Sequence, residues 1–137
     1  MSPELLAREG FTAPLPVHPV VFHEIGGRRC RLVLRIGDRG DLERLTGRGV
    51  QEINTRFANM TATEAEIAEI VRLGLIGGGE CSPAVAAAVV DAFVRPRLFD
   101  HFRLAMDVLL ASVAGVEALP DMGEPGEMTA PDRGPAI

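Results

Sequence analysis

Lysine, tryptophan and tyrosine are all missing from this 137-residue chain. Without Lys there is no Schiff-base chemistry and no Walker-type phosphate loop, whose ammonium must reach the terminal phosphates. Without Trp or Tyr, the six Phe are the only aromatics able to stack on single-stranded nucleic acid. The 14 basic residues are all Arg and face 19 acids, so the net charge of −5 opposes phosphate backbones unless the arginines cluster. Cysteine is scarce. Cys30 and Cys81 are too few and too far apart for a zinc ribbon or a CxxC redox pair, and read as small buried apolar side chains. No apolar run approaches the ~20 residues that span a bilayer. The opening "MSPELLAREGFTAPLP" has an acid near its start and no long apolar core, which makes a poor secretory signal, so the expected location is cytoplasmic.

What is present begins with "HPVVFHEIGGRRCRLVLR", two apolar runs around Gly26-Gly27. A two-residue Gly-Gly loop suits the primed turns that match strand twist, because both positions need positive φ. The stretch therefore reads as a β-hairpin. Val21, His23 and Ile25 share one face of the first arm; in the second, Cys30, Leu32 and Leu34 oppose Arg29, Arg31, Val33 and Arg35. Pro19 suits the start of the first strand, where its missing N–H matters least.

Helical spacing dominates the rest. Asp38 and Asp41 are cap candidates for a two-turn helix through Leu42 and Leu45 that stops at Gly47 and Gly49. Val50, Ile53, Asn54 and Phe57 fall at i, i+3, i+4 and i+7, predicting a second short helix over residues 50–59. Thr61 with Glu64, or Thr63 with Glu66, has capping-box spacing before a stripe of Ile67, Ile70, Val71 and Leu75, and Gly77, Gly78 and Gly79 end that helix. Ser82-Pro83 opens an alanine-rich helix through Val85, Val89, Ala92 and Phe93. Arg95-Pro96 is expected to break it and start the last helix, whose face is Phe99, Phe102, Met106, Leu109, Leu110 and Val113 and which should be the main core element.

The expected fold is thus α+β, mainly α: an N-terminal β-hairpin followed by a small bundle of about five helices. Residues 1–17 read as a flexible arm with one helical turn around Leu5 and Leu6, residues 18–116 as a single globular domain, and residues 117–137 as a disordered, acidic Pro/Gly-rich tail.

Catalytic groups are sparse and badly spaced. His18, His23 and His101 form no tight ligand spacing, Ser82 lacks a nucleophile motif and is better used as a cap, and "GLIGGGE" is a helix stop without the Lys of a phosphate loop. No catalytic residue, metal ligand or cofactor is expected, and the protein is read as a non-enzyme. Arg28, Arg29, Arg31 and Arg35 do cluster on the hairpin, but a solvated strand face that discourages aggregation accounts for them better than nucleic-acid binding.

The order of elements resembles a known family, carried by "EIGGRRCRLVLRIGDRGDLERLTGRGVQEI", then "EIAEIVRLGLIGGG" followed by "CSPAVAAAVVDA". These are similar to the Gly-rich hairpin with an Arg-Leu strand, the Leu-x-x-Leu-Glu helix, the Gly-rich break and the alanine-rich helix of small tail assembly proteins of gene transfer agents and siphophage-like tails. Members are classed as tail assembly chaperones and sometimes labelled tail tube proteins. The likeness runs from about Val21 to about Val113 and departs in the first 17 residues, at Asp38-Arg39-Gly40-Asp41 and in the tail. It implies a non-enzymatic role in tail morphogenesis, with the tape measure protein and other tail proteins as partners, no membrane or nucleic acid, and self-association left open. On this reading Phe57, Ile70, Leu73, Leu75 and Ile76 supply apolar surface to tape measure helices, since Leu73 and Ile76 lie off the main stripe. The alternative is a structural subunit kept in the tail tube or at its end, its hairpin adding to a neighbour's sheet.

Overall fold

The structure, a computed structural model, describes residues 3–11 and 19–115. Residues 1–2, 12–18 and 116–137 lie outside the described residues, and with them about half of the expected N-terminal arm and all of the expected tail. The helical turn anticipated around Leu5 and Leu6 is helix α1 (Pro3–Arg8).

Strands β1 (Val21–Ile25) and β2 (Arg28–Leu32) form an antiparallel pair, with Val21 opposite Leu32, His23 opposite Cys30 and Ile25 opposite Arg28. Gly26 and Gly27 join them at φ of 62° and 81°, both in the left-handed region that a primed turn needs. The predicted facing holds in β1 and β2: Ile25, Cys30 and Leu32 are buried, while Phe22, Glu24, Arg29 and Arg31 point outward. It fails just beyond. Leu32, Val33 and Leu34 are all buried because the chain leaves β2 in direct contact with a helix.

That helix is α4 (Glu64–Gly77), buried on nearly every side through Ile67, Ala68, Ile70, Val71, Leu73, Gly74 and Leu75. Of the two candidate caps, Thr63 is the one used. Its Oγ1 accepts from the Glu66 N–H at 3.2 Å, and Glu66 Oε1 accepts from the Thr63 N–H at 2.8 Å. The helix packs on β2 and on three other helices, α2 (Ile36–Thr46), α5 (Pro83–Val89) and α6 (Phe102–Ala114). It, rather than the last helix, is the main core element. Its outer strip is narrow, marked by the Glu69–Arg72 pair, so its pattern gives little sign of how central it is.

Three helices differ from expectation. α2 starts at Ile36, and Asp38 caps it from inside the first turn, accepting from the Arg35 N–H at 2.8 Å. α5 is turned by about one residue: Ala86, Val90 and Val94 are buried, whereas Val85 and Phe93 are exposed. Apolar residues surround this helix, so spacing alone could not set its phase. The chain then passes without a break through a π-helical turn (Val90–Val94) into a 3-10 segment (Arg95–His101), and its backbone turns non-helical only at Arg97, with φ −126° and ψ 52°. The Arg95 N–H reaches back to the Val90 carbonyl. This wider turn takes the backbone off the α path on which the Pro96 ring would meet the carbonyl four residues earlier. α6 consequently begins at Phe102, leaves Phe99 exposed, and buries Leu104, Ala105, Val108, Leu109 and Ala111. Helix α3 (Val50–Ala58) lies where expected and contributes Ile53 and Phe57, whose ring meets that of Phe102 at 5.1 Å between centroids.

The fold is α+β and mainly α, a two-stranded hairpin followed by five helices.

Candidate functional site

Four of the five residues expected to present apolar surface are buried. Phe57, Ile70, Leu73 and Leu75 belong to the core, with Leu73, the most accessible of them, at 5% exposure; Ile76 is half-buried against the same cluster. Leu73 lies off the predicted stripe, as its spacing said. It is covered because α4 is central and has no outer face at that position.

Accessible large apolar side chains lie elsewhere, at Ile36, Val85, Phe93 and Phe99 of the helical segments and at Phe22 of the hairpin. The hairpin's two edges differ. In a hairpin closed by a two-residue turn, Ile25 and Arg28 exchange hydrogen bonds, as do the pairs two and four residues on, so the N–H and C=O groups of Phe22, Glu24, Arg29 and Arg31 point away from the partner strand. On the β2 side the edge is occupied from Arg31 onward: the Arg31 N–H donates to Glu80 Oε2 at 2.8 Å, and beyond the strand the Val33 N–H donates to the Gly74 carbonyl at 3.0 Å, while no described hydrogen bond reaches the outward groups of Arg29. The approach is close enough that a Cβ at Gly77 would collide with the Val33 carbonyl oxygen and one at Gly78 would lie 2.7 Å from the Arg31 carbonyl carbon. On the β1 side, no described hydrogen bond reaches the outward backbone groups of Phe22 or Glu24. β1 is an open edge.

Its outer face carries Phe22, half exposed, with the Arg29 guanidinium 4.8 Å from the ring centroid. Glu24, Arg29 and Arg31 make no salt bridge among the described residues, whereas Arg28 is paired with the Glu80 carboxylate. Glu80 is held below the usual carboxylate range, first by the Arg31 N–H and then by Arg28.

Beneath the hairpin, the inward His23 ring meets His101 edge-on at 5.8 Å between centroids. His101 is buried, its Nδ1 2.9 Å from the Arg97 carbonyl oxygen, to which a proton on that nitrogen donates. Burial, reinforced by the neighbouring His101, pushes the His23 pKa down; Asp107 and Glu24 act more weakly in the other direction. The pair holds the hairpin to the helices, a role that His23 and His101 did not reveal in sequence, 78 residues apart in the chain.

The remaining polar residues singled out by sequence have structural work. Ser82 Oγ accepts from the Val85 N–H at 3.4 Å, Asp38 is spent on Arg35, and Asp41 pairs with Arg44. Cys30 is buried and Cys81 half-buried, both as free thiols. Among the described residues no group of three His, Cys, Asp or Glu is placed to hold a metal ion, and no helix is long and apolar enough to cross a membrane.

What these elements define is a small helical domain with a clamped hairpin and one unpaired strand edge. Residues 20–115, well over half of the chain, match the family model described as phage tail tube protein, GTA-gp10, and the protein belongs to that family. Membership gives it a role in a phage-like tail of the gene transfer agent type. No curated protein and no solved structure matches the chain.

Proposed function

We propose that the protein is a non-catalytic structural subunit of a gene-transfer-agent-like tail, retained in the tube or at its end and joined there to other tail proteins. The match of residues 20–115 to a family described as a phage tail tube protein carries this reading. The polar chemistry supports it: Glu66, Glu80, Asp38 and Ser82 each serve a cap or a clamp within the fold. The competing role is an assembly chaperone for the tape measure protein. Four of the five residues expected to supply apolar surface for that role lie in the core, although Ile36, Phe93 and Phe99 are exposed.

The two roles differ in where the protein ends up. Particles purified on a density gradient and washed in high salt are digested and quantified by mass spectrometry. A structural subunit is present at a fixed ratio to the other tail proteins. Absence from washed particles, together with capture of the tape measure protein from the lysate, overturns the structural reading in favour of the chaperone.

A further inference from the structure

We infer that β1 pairs antiparallel with β1 of a second copy of this chain, joining two hairpins into one four-stranded sheet. The inference deepens the structural-subunit reading and rests on it.

Among the described residues, Glu80 and the α4 glycines close the β2 edge at Arg31 and Val33, and β1 is the edge left open along its length. The outward N–H and C=O groups on the open edge belong to Phe22 and Glu24, so a symmetric antiparallel partner sets one of these opposite its own copy or sets the two opposite each other. Glu24 opposite the partner's Glu24 would oppose two carboxylates directly and is disfavoured. Phe22 opposite the partner's Phe22 would set Glu24 opposite the partner's Val20, in a row with no second arginine. Glu24 opposite the partner's Phe22 adds one: Glu24 then lies between its own cross-strand neighbour Arg29 and, past the partner's Phe22, the partner's Arg31.

None of Glu24, Arg29 and Arg31 takes part in a salt bridge among the described residues. Each outer row then reads Arg29, Glu24, Phe22, Arg31, with the last two from the partner, and each half-exposed Phe22 gains a neighbour on its open side. A two-stranded sheet is marginal by itself, whereas four strands make a self-supporting one.

The test is sedimentation velocity of the purified full-length chain over a concentration series, on wild type, Glu24→Pro and Glu24→Arg. The Glu24 N–H points away from β2, so proline there blocks the edge without removing a bond of the hairpin. Glu24→Arg leaves the backbone alone and sets three arginines together, so it reads the same contact if the proline variant folds poorly. The expected result is a wild-type dimer whose dissociation constant rises at least tenfold in both folded variants. A wild type that stays monomeric at several hundred micromolar overturns the inference, as does a dimer indifferent to Glu24→Arg. Particle fractionation reads the tail role whichever way this result falls, so the two readings fail separately.

Discussion

Glu80, three residues past the end of α4, reaches back 49 positions to accept the backbone N–H of Arg31, closing a strand edge with a carboxylate that also pairs with Arg28. A helix stop and a strand clamp are therefore one feature. The stop is a Schellman motif, in which the Gly79 N–H bonds to the Ile76 carbonyl and the Glu80 N–H to the Leu75 carbonyl, both at 3.0 Å, and this turn aims the Glu80 side chain at β2.

Because the clamp lowers the Glu80 pKa in the folded chain, the unfolded state takes up the proton more readily. The stabilisation is complete above the ordinary Glu value of about 4.3 and is lost as the pH falls through the lowered folded value. Thermal unfolding followed between pH 5 and 3 is expected to show a shallower loss of Tm in Glu80→Gln than in wild type.

His23 acts in a higher pH window by the same sign. Its folded pKa lies below the ordinary histidine value of about 6.5, so its contribution is complete above that pH and is lost as the pH falls through the folded value. Burial sets most of this effect; the neighbouring His101 adds to it, and Asp107 and Glu24 oppose it. His23→Leu, which keeps an apolar contact with His101, is expected to reduce the fall in Tm between pH 7.5 and 5, read by circular dichroism.

The α4 glycines separate close packing from backbone conformation. Gly77→Ala and Gly78→Ala drive a methyl group into the backbone of residues 31–33 and should each cost about 3 kcal/mol or more. Gly79 has open space around its Cβ position and a φ of 77°, so Gly79→Ala should cost only about 1–2 kcal/mol, the price of the left-handed conformation. Urea denaturation of the three variants would show the ranking, and an equal loss for all three would refute the close-packing account.

Glu66 is the most heavily used buried charge. Its carboxylate is wholly buried, caps α4 through the Thr63 N–H, and meets Arg56 at 3.2 Å and Arg48 at 3.4 Å. Removing one partner of a buried pair leaves the others unsatisfied, so Glu66→Ala should lose about 3–5 kcal/mol. Arg72→Ala, which breaks only the half-exposed pair with Glu69, should lose less than about 1 kcal/mol in the same urea titration.

The local signals in the sequence were the legible ones. Gly26-Gly27 marks its turn, Thr63 and Glu66 mark the start of α4, and both depend on neighbours a few residues away. The failures are relational. Gly77 and Gly78 read as a helix stop, and only the fold shows that they also admit a strand; the face expected for α5, Val85, Val89, Ala92 and Phe93, is off by about one residue because Val85, Ala86, Val89 and Val90 are all apolar. Pro96 suggested a break at Arg95, where the backbone is still helical and turns only at Arg97, because a π turn can absorb a proline. For the candidate surface, apolar spacing identified residues that must be buried somewhere, and Phe57, Ile70 and Leu75 are buried within this chain. The open edge at Phe22 and Glu24 left no mark in the sequence, since it depends on what the other edge meets.

The clamp at Glu80 also has a timing. During synthesis the last residue of β2, Leu32, leaves the ribosome before the residues that cover its strand. At about 5–20 residues per second, the interval from Leu32 to Glu80 lasts roughly 2–10 s. For that time the nascent hairpin has two pairable edges rather than one, and neighbouring chains on one messenger are in reach of the wrong edge. Completion of α4 and its glycine stop turns a strand that can pair on either side into one that can pair on only one.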